Sequence, residues 1–407
     1  MRVLFVCHRF PYPPNRGGKI RPFHMIEHLR ERHSVVVASL AHSEAELGEG
    51  KPLADYCDEV IAEVLPNRSR WLRAVAALPT LRPSSLAYFW SPRLAHRIRQ
   101  AADRQPFDVV IVHCAFAAQY VRGIRARLRI LDYGDVDSQK WMDYAEATRF
   151  PKSLGYRLEA RKLHRYERQL SREFDLCTAT TRGELEEVRK LNANVAAAVI
   201  PNGVDMSYFR PRDAVPRTSA VLVFLGRMDY FPNIDGALHF ARNIFPLIRD
   251  RVPQAQFRIV GSNPSRAVRE LAKLPGVSVT GHVPDVRPYL ADASVAVAPL
   301  RIARGTQNKI LQFLAMGVPV VTTPQAAKGV GAEPGLHFLI AEGDRQFAEE
   351  VVRLLGDTAL QLTLSVAGQQ PLVTAHSWPN SMRILDALID GHSTSNPSLE
   401  SEPASAL

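Results

Sequence analysis

The chain alternates short, continuously apolar runs with longer stretches of helical period. In the first half Val3–Cys7, Ser34–Ser39, Val60–Val64, Val109–His113 and Arg129–Asp132 are each four to six residues long and mostly apolar. Runs without polar alternation predict strands covered on both faces, as in a parallel sheet. Helical patterns fall between them at Lys19–Arg32, Ser91–Asp103 and Ala115–Leu128, and a long charged helix follows at Ser153–Glu173. The polar connection IPNGVDMSYFRPRDAVPRTSA, punctuated by Asn202-Gly203, Pro211 and Pro216, separates the halves. The alternation then restarts. Strands are predicted at Ala220–Leu225, Gln256–Val260, Val277–Thr280, Val295–Pro299, Val318–Thr322 and His337–Ile340. Helices are predicted at Asn233–Asp250, Ser265–Leu274, Val286–Leu290, Gln307–Met316 and Asp344–Leu355. The pattern predicts an α/β protein of two doubly wound, Rossmann-like domains facing each other across a cleft. The N-terminal domain is placed at 1–213 and the C-terminal one at 214–375, with a helix at 376–391 and a Ser/Pro-rich, disordered tail at 392–407. Ligands of such sheets bind in the crevice at the carboxyl ends of the strands.

Composition narrows the class. A chain of 407 residues with 46% hydrophobic and 23% charged side chains can bury two cores. No apolar run approaches the roughly 18–20 residues that cross a bilayer. The opening MRVLFVCHRF reads as a buried strand and is too short for a signal-peptide core, so a cytoplasmic location is expected. Cys7, Cys57, Cys114 and Cys177 lie far apart, which argues against a disulfide framework or structural metal. The net charge of +10 suits an anionic partner. Nucleic acid is disfavoured, since no helix-turn-helix, zinc or RNP-like motif accompanies the charge. The stretch Arg68–Arg104 interleaves arginines with Trp71, Tyr88, Phe89 and Trp90. Two readings stay open there: a face lying against anionic headgroups of the inner leaflet, or core aromatics with arginines solvating helix faces.

Candidate chemistry collects at strand exits. The first strand of the second half runs into Gly226-Arg227, which throws a guanidinium onto the cleft rim, where it either holds a diphosphate or is a plain surface arginine. After Val295–Pro299, the loop RIARGTQNK opens a helix. Thr306 is the expected N-cap and Gly305 lets the backbone approach a ligand. Arg304 and Lys309 flank the positive end of the helix dipole, and the whole reads as an anion site. In the first half, Gly17-Gly18 precede a helix with Lys19 and Arg21 nearby. The full GxGxxG pattern is missing, which disfavours NAD, and no GxxxxGK[ST] is present. His113, Asp135 and Asp137 end strands that face the crevice; each is read either as a functional group or as a polar cap on the core. Asp135 and Asp137 form a D-x-D without a third ligand, so no metal is assigned.

Several motifs together resemble the retaining glycosyltransferases of family GT4, which have the GT-B fold. They are IPNGVD at 200–205, FLGRMDY at 224–230, GHVPDVRPYLADASVAVAPL at 281–300, NKILQFLAMGVPVVTT at 308–323 and HSW at 376–378. HRFPYPPNRGGKIRPFH at 8–24 and DVDSQKW at 135–141 resemble a narrower branch, the sugar transferases of PEP-CTERM/EpsH-type exopolysaccharide systems. The resemblance implies that Arg227 and Lys309 bind the diphosphate of an NDP-sugar donor, with Gly17, Gly18, Gly226, Gly305, Thr306 and Asn308 around it. The loop after His282 would pass the base, and the last helix would cross back onto the N-terminal domain. The family's paired glutamates are replaced here by Arg304 and Gln312, and the lysine five residues after the arginine of GR by Pro232. The glutamine gives up charge assistance to the ribose, a loss on the order of 1 kcal/mol. The resemblance implies hexosyl transfer without cofactor or metal to a lipid-linked or glycan acceptor, which His113 or Asp135 orients. Its rivals are a catalytically weakened scaffold subunit and an NDP-sugar epimerase.

Overall fold

The computed structural model describes residues 1–210 and 220–392. The boundary expected near residue 214 and nearly all of the expected tail lie outside the described residues. Two wholly parallel sheets are present. The first contains β1 (Arg2–Cys7), β2 (Ser34–Ala41), β3 (Glu59–Val64), β4 (Val109–His113), β5 (Leu128–Gly134), β6 (Leu176–Ala179) and β7 (Ala197–Val199), in the order β3-β2-β1-β4-β5-β6-β7. The second contains β8 (Val221–Leu225), β9 (Gln256–Val260), β10 (Val277–Gly281), β11 (Val295–Ala298), β12 (Val320–Thr322) and β13 (Leu339–Ile340), in the order β10-β9-β8-β11-β12-β13. In each sheet the chain reverses its direction of growth beside the first strand. The switch points therefore lie between β1 and β4 and between β8 and β11, where strand exits open a crevice.

The apolar runs become central strands because helices cover both faces: Val3 to Val6, Val109 to Val112 and Val221 to Phe224 are buried on either side of the sheet. Three expected helices are altered. Ala115–Leu128 is instead a 3-10 helix, Ala115–Val121, with every residue buried; a segment with no solvated face cannot be an amphipathic surface helix. Asn233–Asp250 is broken into α-helix Phe231–His239, a π turn Phe240–Ile244 and α-helix Phe245–Arg251. Pro246 has no N–H for the regular ladder, and the wider turn absorbs the mismatch. Ser265–Leu274 shortens to Arg266–Arg269 and a 3-10 turn, Glu270–Lys273.

Eight helices position the chemistry: α1 (Gly17–Arg30), α2 (Asn67–Ala77), α3 (Asp137–Glu146), α4 (Lys152–Glu173), α5 (Arg182–Leu191), α6 (Phe231–His239), α7 (Asn308–Ala315) and α8 (Trp378–Gly391). α8 returns to the N-terminal sheet. Trp378, Met382, Leu385 and Ile389 share one apolar cluster with Val3, Phe5 and Val109, and His28 Nε2 lies 2.9 Å from Asp386 on α8. His376, just before α8, uses its ring nitrogens on the carbonyl oxygens of Asn202 (2.9 Å) and Val330, so HSW is a clasp between the halves. The four cysteines are buried and unpaired.

Candidate active site

On the C-terminal side, β8 exits through Gly226 into Arg227. Arg227 is about one-third exposed and is held by Asp229, with Nε donating to Oδ1 at 2.9 Å and a second, parallel contact beside it. Asn233, on the first turn of α6, donates through Nδ2 to the Arg227 carbonyl at 2.8 Å and accepts from Lys309 Nζ at 2.6 Å. Any Cβ on Gly226 would lie 2.6 Å from Asn233 Nδ2, so this tie requires glycine at the strand exit. Lys309 also sits 5.2 Å from the Phe224 ring centroid and pairs with no carboxylate among the described residues. Burial alone lowers its pKa to about 7.

α7 starts one residue later than expected. Its N-cap is Gln307, so the Thr306 assignment is corrected: Thr306 Oγ1 is buried and finds no hydrogen-bond partner among the described residues. Asn308 opens the helix and its Oδ1 accepts from Asn202 Nδ2 at 3.1 Å. A Cβ on Gly17, the first residue of α1, would lie 3.7 Å from Asn308 Nδ2. Two helix N-termini therefore converge on one spot, each presenting unpaired N–H groups. Gly305 adopts φ 58°, and a Cβ there would collide with Asp135 Oδ1 at 2.0 Å, so the loop's glycine is set by the approach of Asp135 from the other domain. Gln312 lies half-buried on the next turn of α7, while His282 is exposed at the exit of edge strand β10, two strands from β8.

Arg304 departs most from its expected place. It reaches across the cleft, its NH2 donating to Asp143 Oδ1 at 2.9 Å with a further Nε contact to the same carboxylate, and its NH1 lying 3.9 Å from Glu184 Oε1 on α5. It is an interdomain tie. Burial, with Asp135 adding to it, raises Glu184 to about 7.

On the N-terminal side His8 and Arg9 follow β1 and His113 ends β4. Asp132, fully buried in β5, accepts from Arg21 (Nε, 2.9 Å), Thr178 Oγ1 (2.7 Å) and His113 Nδ1 (2.7 Å). Burial pushes the Asp132 carboxyl up, but Arg21 and His113 outweigh it and hold it far below the carboxylate range. His113 is thereby fixed with Nδ1 inward, leaving Nε2 for a ligand. Asp137 accepts the Cys114 thiol at 3.3 Å and is raised by burial. Gly18 packs near Arg9, and Arg16, at the head of α1, is lowered to about 10 by burial and by the guanidiniums of Arg9 and Arg227. Cations of both domains thus crowd one region. Asp135, Lys140, Asp143, Tyr230, Arg304 and Gln307 line a small cavity between the halves.

The structure brings together Gly17, Gly18, Gly226, Arg227, Gly305, Asn308 and Lys309, with Asp135 against the loop; His282 lies at the exit of edge strand β10, and Arg304, on the wall of the same cavity, is tied to Asp143. Asn233 was not foreseen, because an asparagine on the first turn of a helix reads as an ordinary terminus.

Comparison with known proteins follows the same division. Residues 16–208 match the family model described as Glycosyltransferase Family 4, and residues 219–357 match Glycosyl transferases group 1. No curated protein matches the chain. Sucrose-phosphate synthase from Thermosynechococcus elongatus superposes with a TM-score of 0.74 at 15% identity, covering 97% of this chain and 100% of that one. Anabaena HepE in complex with UDP-glucose gives a TM-score of 0.68 at 14% identity over 96% and 100%. S. aureus TarM, in complex with Fondaparinux, alpha-GlcNAc-glycerol and UDP, gives 0.66 at 9% over 96% and 99%. Those likenesses establish the two-domain GT-B fold.

Proposed function

We propose that this chain, which carries both domains of a GT4-like glycosyltransferase on the GT-B fold, moves a hexosyl unit from an NDP-sugar to a hydroxyl of a lipid-linked or glycan acceptor, with retention at the anomeric carbon. The observation that carries this reading is Lys309, a partly buried cation on the first turn of α7, anchored by an amide beside the point where the N-termini of α7 and α1 meet. Such a group lacks its counter-ion, and a diphosphate supplies one. The UDP-glucose and the UDP in complex with two of the structural neighbours support a nucleotide-sugar donor.

As the bond between the anomeric carbon and the diphosphate breaks, charge builds on the leaving oxygen. Lys309, Arg227 and the N–H groups of α7 neutralise it, each fixed donor contributing roughly 2–4 kcal/mol in the transition state. The acceptor hydroxyl attacks the same face, forms the new C–O bond and passes its proton to a phosphate oxygen. His113 Nε2 and Asp135 orient the acceptor. The protein's own cations stand where a divalent ion would otherwise be needed, so the reaction is read as metal-independent. Gln312 meets the ribose, and the segment after His282 meets the base. The exopolysaccharide assignment rests on the motifs of the narrower branch.

One observation favours a second reading, a nucleotide-sugar-binding scaffold: Arg304 and Arg227 are both already paired with carboxylates. A panel of UDP-, GDP-, ADP- and dTDP-sugars in a thermal-shift assay separates the outcomes, because a ligand bound to the native state raises Tm by mass action. One nucleotide class is expected to stabilise the chain, with transfer to a glycolipid acceptor. Stabilisation without transfer to any acceptor selects the scaffold, and no stabilisation by any donor contradicts both.

A further inference from the structure

Helix α2 is inside-out. It buries Arg70 (1% exposed), Ala74 and Ala77 against the domain, with Arg70 NH2 donating to the Ala41 carbonyl at 2.8 Å. It turns Trp71 (62%), Leu72 (72%), Val75 (58%) and then Leu78 (61%) and Leu81 (80%) to solvent. A surface helix of a globular protein does the reverse, and contiguous exposed apolar groups mark an interaction surface.

This ridge continues onto α4. Lys162 Nζ donates to the carbonyls of Ala77 (3.2 Å) and Leu78 (2.9 Å), pinning the end of α2 onto α4. Phe150, just before α4, and Leu154 and Leu158 on it are also exposed. Leu154, Leu158, Arg161 and Arg165 recur at helical spacing, so the apolar strip runs directly into a basic one. That basic end lines a crevice between α3 and α4, with Ser138, Gln139 and Met142 opposite Arg161, His164 and Arg165. Ser138 is 3% exposed, and its Oγ has no hydrogen-bond partner among the described residues. Arg149, Lys152, Arg157, Arg161 and Arg165 are exposed and pair with no carboxylate among the described residues, while of the α4 carboxylates Glu159 and Glu167 are buried and Glu173 lies at the far end of the helix. No described helix is long and apolar enough to cross a membrane.

We propose that α2 and the first half of α4 form a docking surface for an anionic lipid bilayer: the Trp71–Leu81 ridge and Phe150, Leu154 and Leu158 enter the headgroup boundary, and the α3/α4 crevice receives a lipid phosphate on Arg161, Arg165 and Ser138. A protein partner would satisfy the apolar ridge, but the ring of unpaired cations beside it matches phosphate headgroups. α3 carries Lys140, Asp143 and Tyr144 on the cleft side and Ser138, Gln139 and Met142 on the crevice side. A lipid-borne acceptor therefore sits one helix away from the cleft. That last step rests on the transferase reading; the docking surface does not.

The test is flotation of the full chain with vesicles of phosphatidylcholine alone and of phosphatidylcholine mixed with phosphatidylglycerol, alongside its oligomeric state in solution. Binding is expected only to the anionic vesicles and is weakened by salt. Leu72→Glu with Leu78→Glu abolishes it. Arg161→Gln with Arg165→Gln lowers it roughly 30-fold, at about 1 kcal/mol per basic residue. Thermal stabilisation by nucleotide-sugar stays unchanged in all these variants, so a failed donor reading and a failed docking reading give different results. A chain that ignores anionic vesicles, binds neutral ones equally, or self-associates through Leu72 and Leu78 overturns the proposal.

Discussion

Arg21 and Lys309 are cations on opposite sides of the cleft, Arg21 buried and Lys309 partly buried, and their surroundings are opposite. Arg21 is 2% exposed and fully answered: Asp132 takes its charge, while the Ile200 carbonyl (2.7 Å) and Asn202 Oδ1 (3.1 Å) take its remaining protons. Lys309 has only the Asn233 amide and the face of Phe224. The first cation is structure, holding β5 to the domain exit and fixing the His113 ring through Asp132. The second is an unanswered charge, which the proposed function assigns to an anionic ligand. A buried charge without its counter-ion costs stability and is retained where it is used.

The largest effect that separates the two is on folding. Arg21→Met leaves Asp132 buried and unpaired and is expected to destabilise the chain by about 3–5 kcal/mol in denaturant titration. A change under about 1 kcal/mol would put Arg21 and Lys309 in one class. The next effect tests whether the N-terminal domain holds any unanswered charge of its own. Glu167 is fully buried, Oε2 has no partner among the described residues, and burial with Asp137 nearby raises it to about 8. The folded-state pKa lies above the unfolded one, so its contribution is fully present below about pH 4.5 and is lost as pH rises through about 8. Glu167→Gln should raise Tm at pH 8.5 and leave it nearly unchanged at pH 5.

Smaller changes sharpen the picture of the C-terminal side. Asn233→Ala removes the anchor of Lys309 and the bond to the Arg227 carbonyl. Donor affinity is expected to fall about tenfold, on the order of 1–2 kcal/mol, in calorimetric titration, with kcat falling by less. Smallest is the cross-cleft tie. The partly exposed Arg304–Asp143 pair should add no more than about 1 kcal/mol to stability. Arg304→Glu alone is expected to loosen the closed arrangement, seen as a larger radius in small-angle scattering, and Asp143→Arg in the same chain should restore it.

How much of this was legible follows from the range of each interaction. β1, β4 and β8 were readable because burial on both faces leaves continuous apolar runs. β6 and β7 were not: LCTA and AAV are short and carry threonine and alanines in place of the continuous valine, isoleucine and leucine runs of the central strands. Gly226, Arg227, Gly305 and Lys309 were readable because strand exits and helix starts are local features with local chemistry. The Arg21–Asp132 pair spans 111 residues, and Asn233 and Lys309 are 76 apart, so no local signal joins them. Arg304 looked like part of the anion site because it flanks the loop; only the tertiary placement of Asp143 and Glu184 turns it across the cleft. The basic aromatic stretch was half legible. Phe89 is core and Tyr88 and Trp90 are partly buried, whereas the exposed partners of Trp71 are leucines and a valine that the interleaving did not single out.

The central claim is that Lys309 awaits a phosphate. Its pKa of about 7 in the free protein makes that claim directly measurable. Titration calorimetry with the stabilising NDP-sugar, run at pH 7 in buffers of different ionisation enthalpy, should detect proton uptake on binding, because the bound diphosphate raises the lysine's pKa. Affinity should then decline as pH rises above 7 towards the pKa of the complex. In Lys309→Met the uptake should vanish and affinity fall by roughly 30-fold or more, equivalent to about 2 kcal/mol, while Tm without ligand stays the same or rises. Binding that is buffer-independent, flat between pH 6 and pH 9 and intact in Lys309→Met would contradict the account.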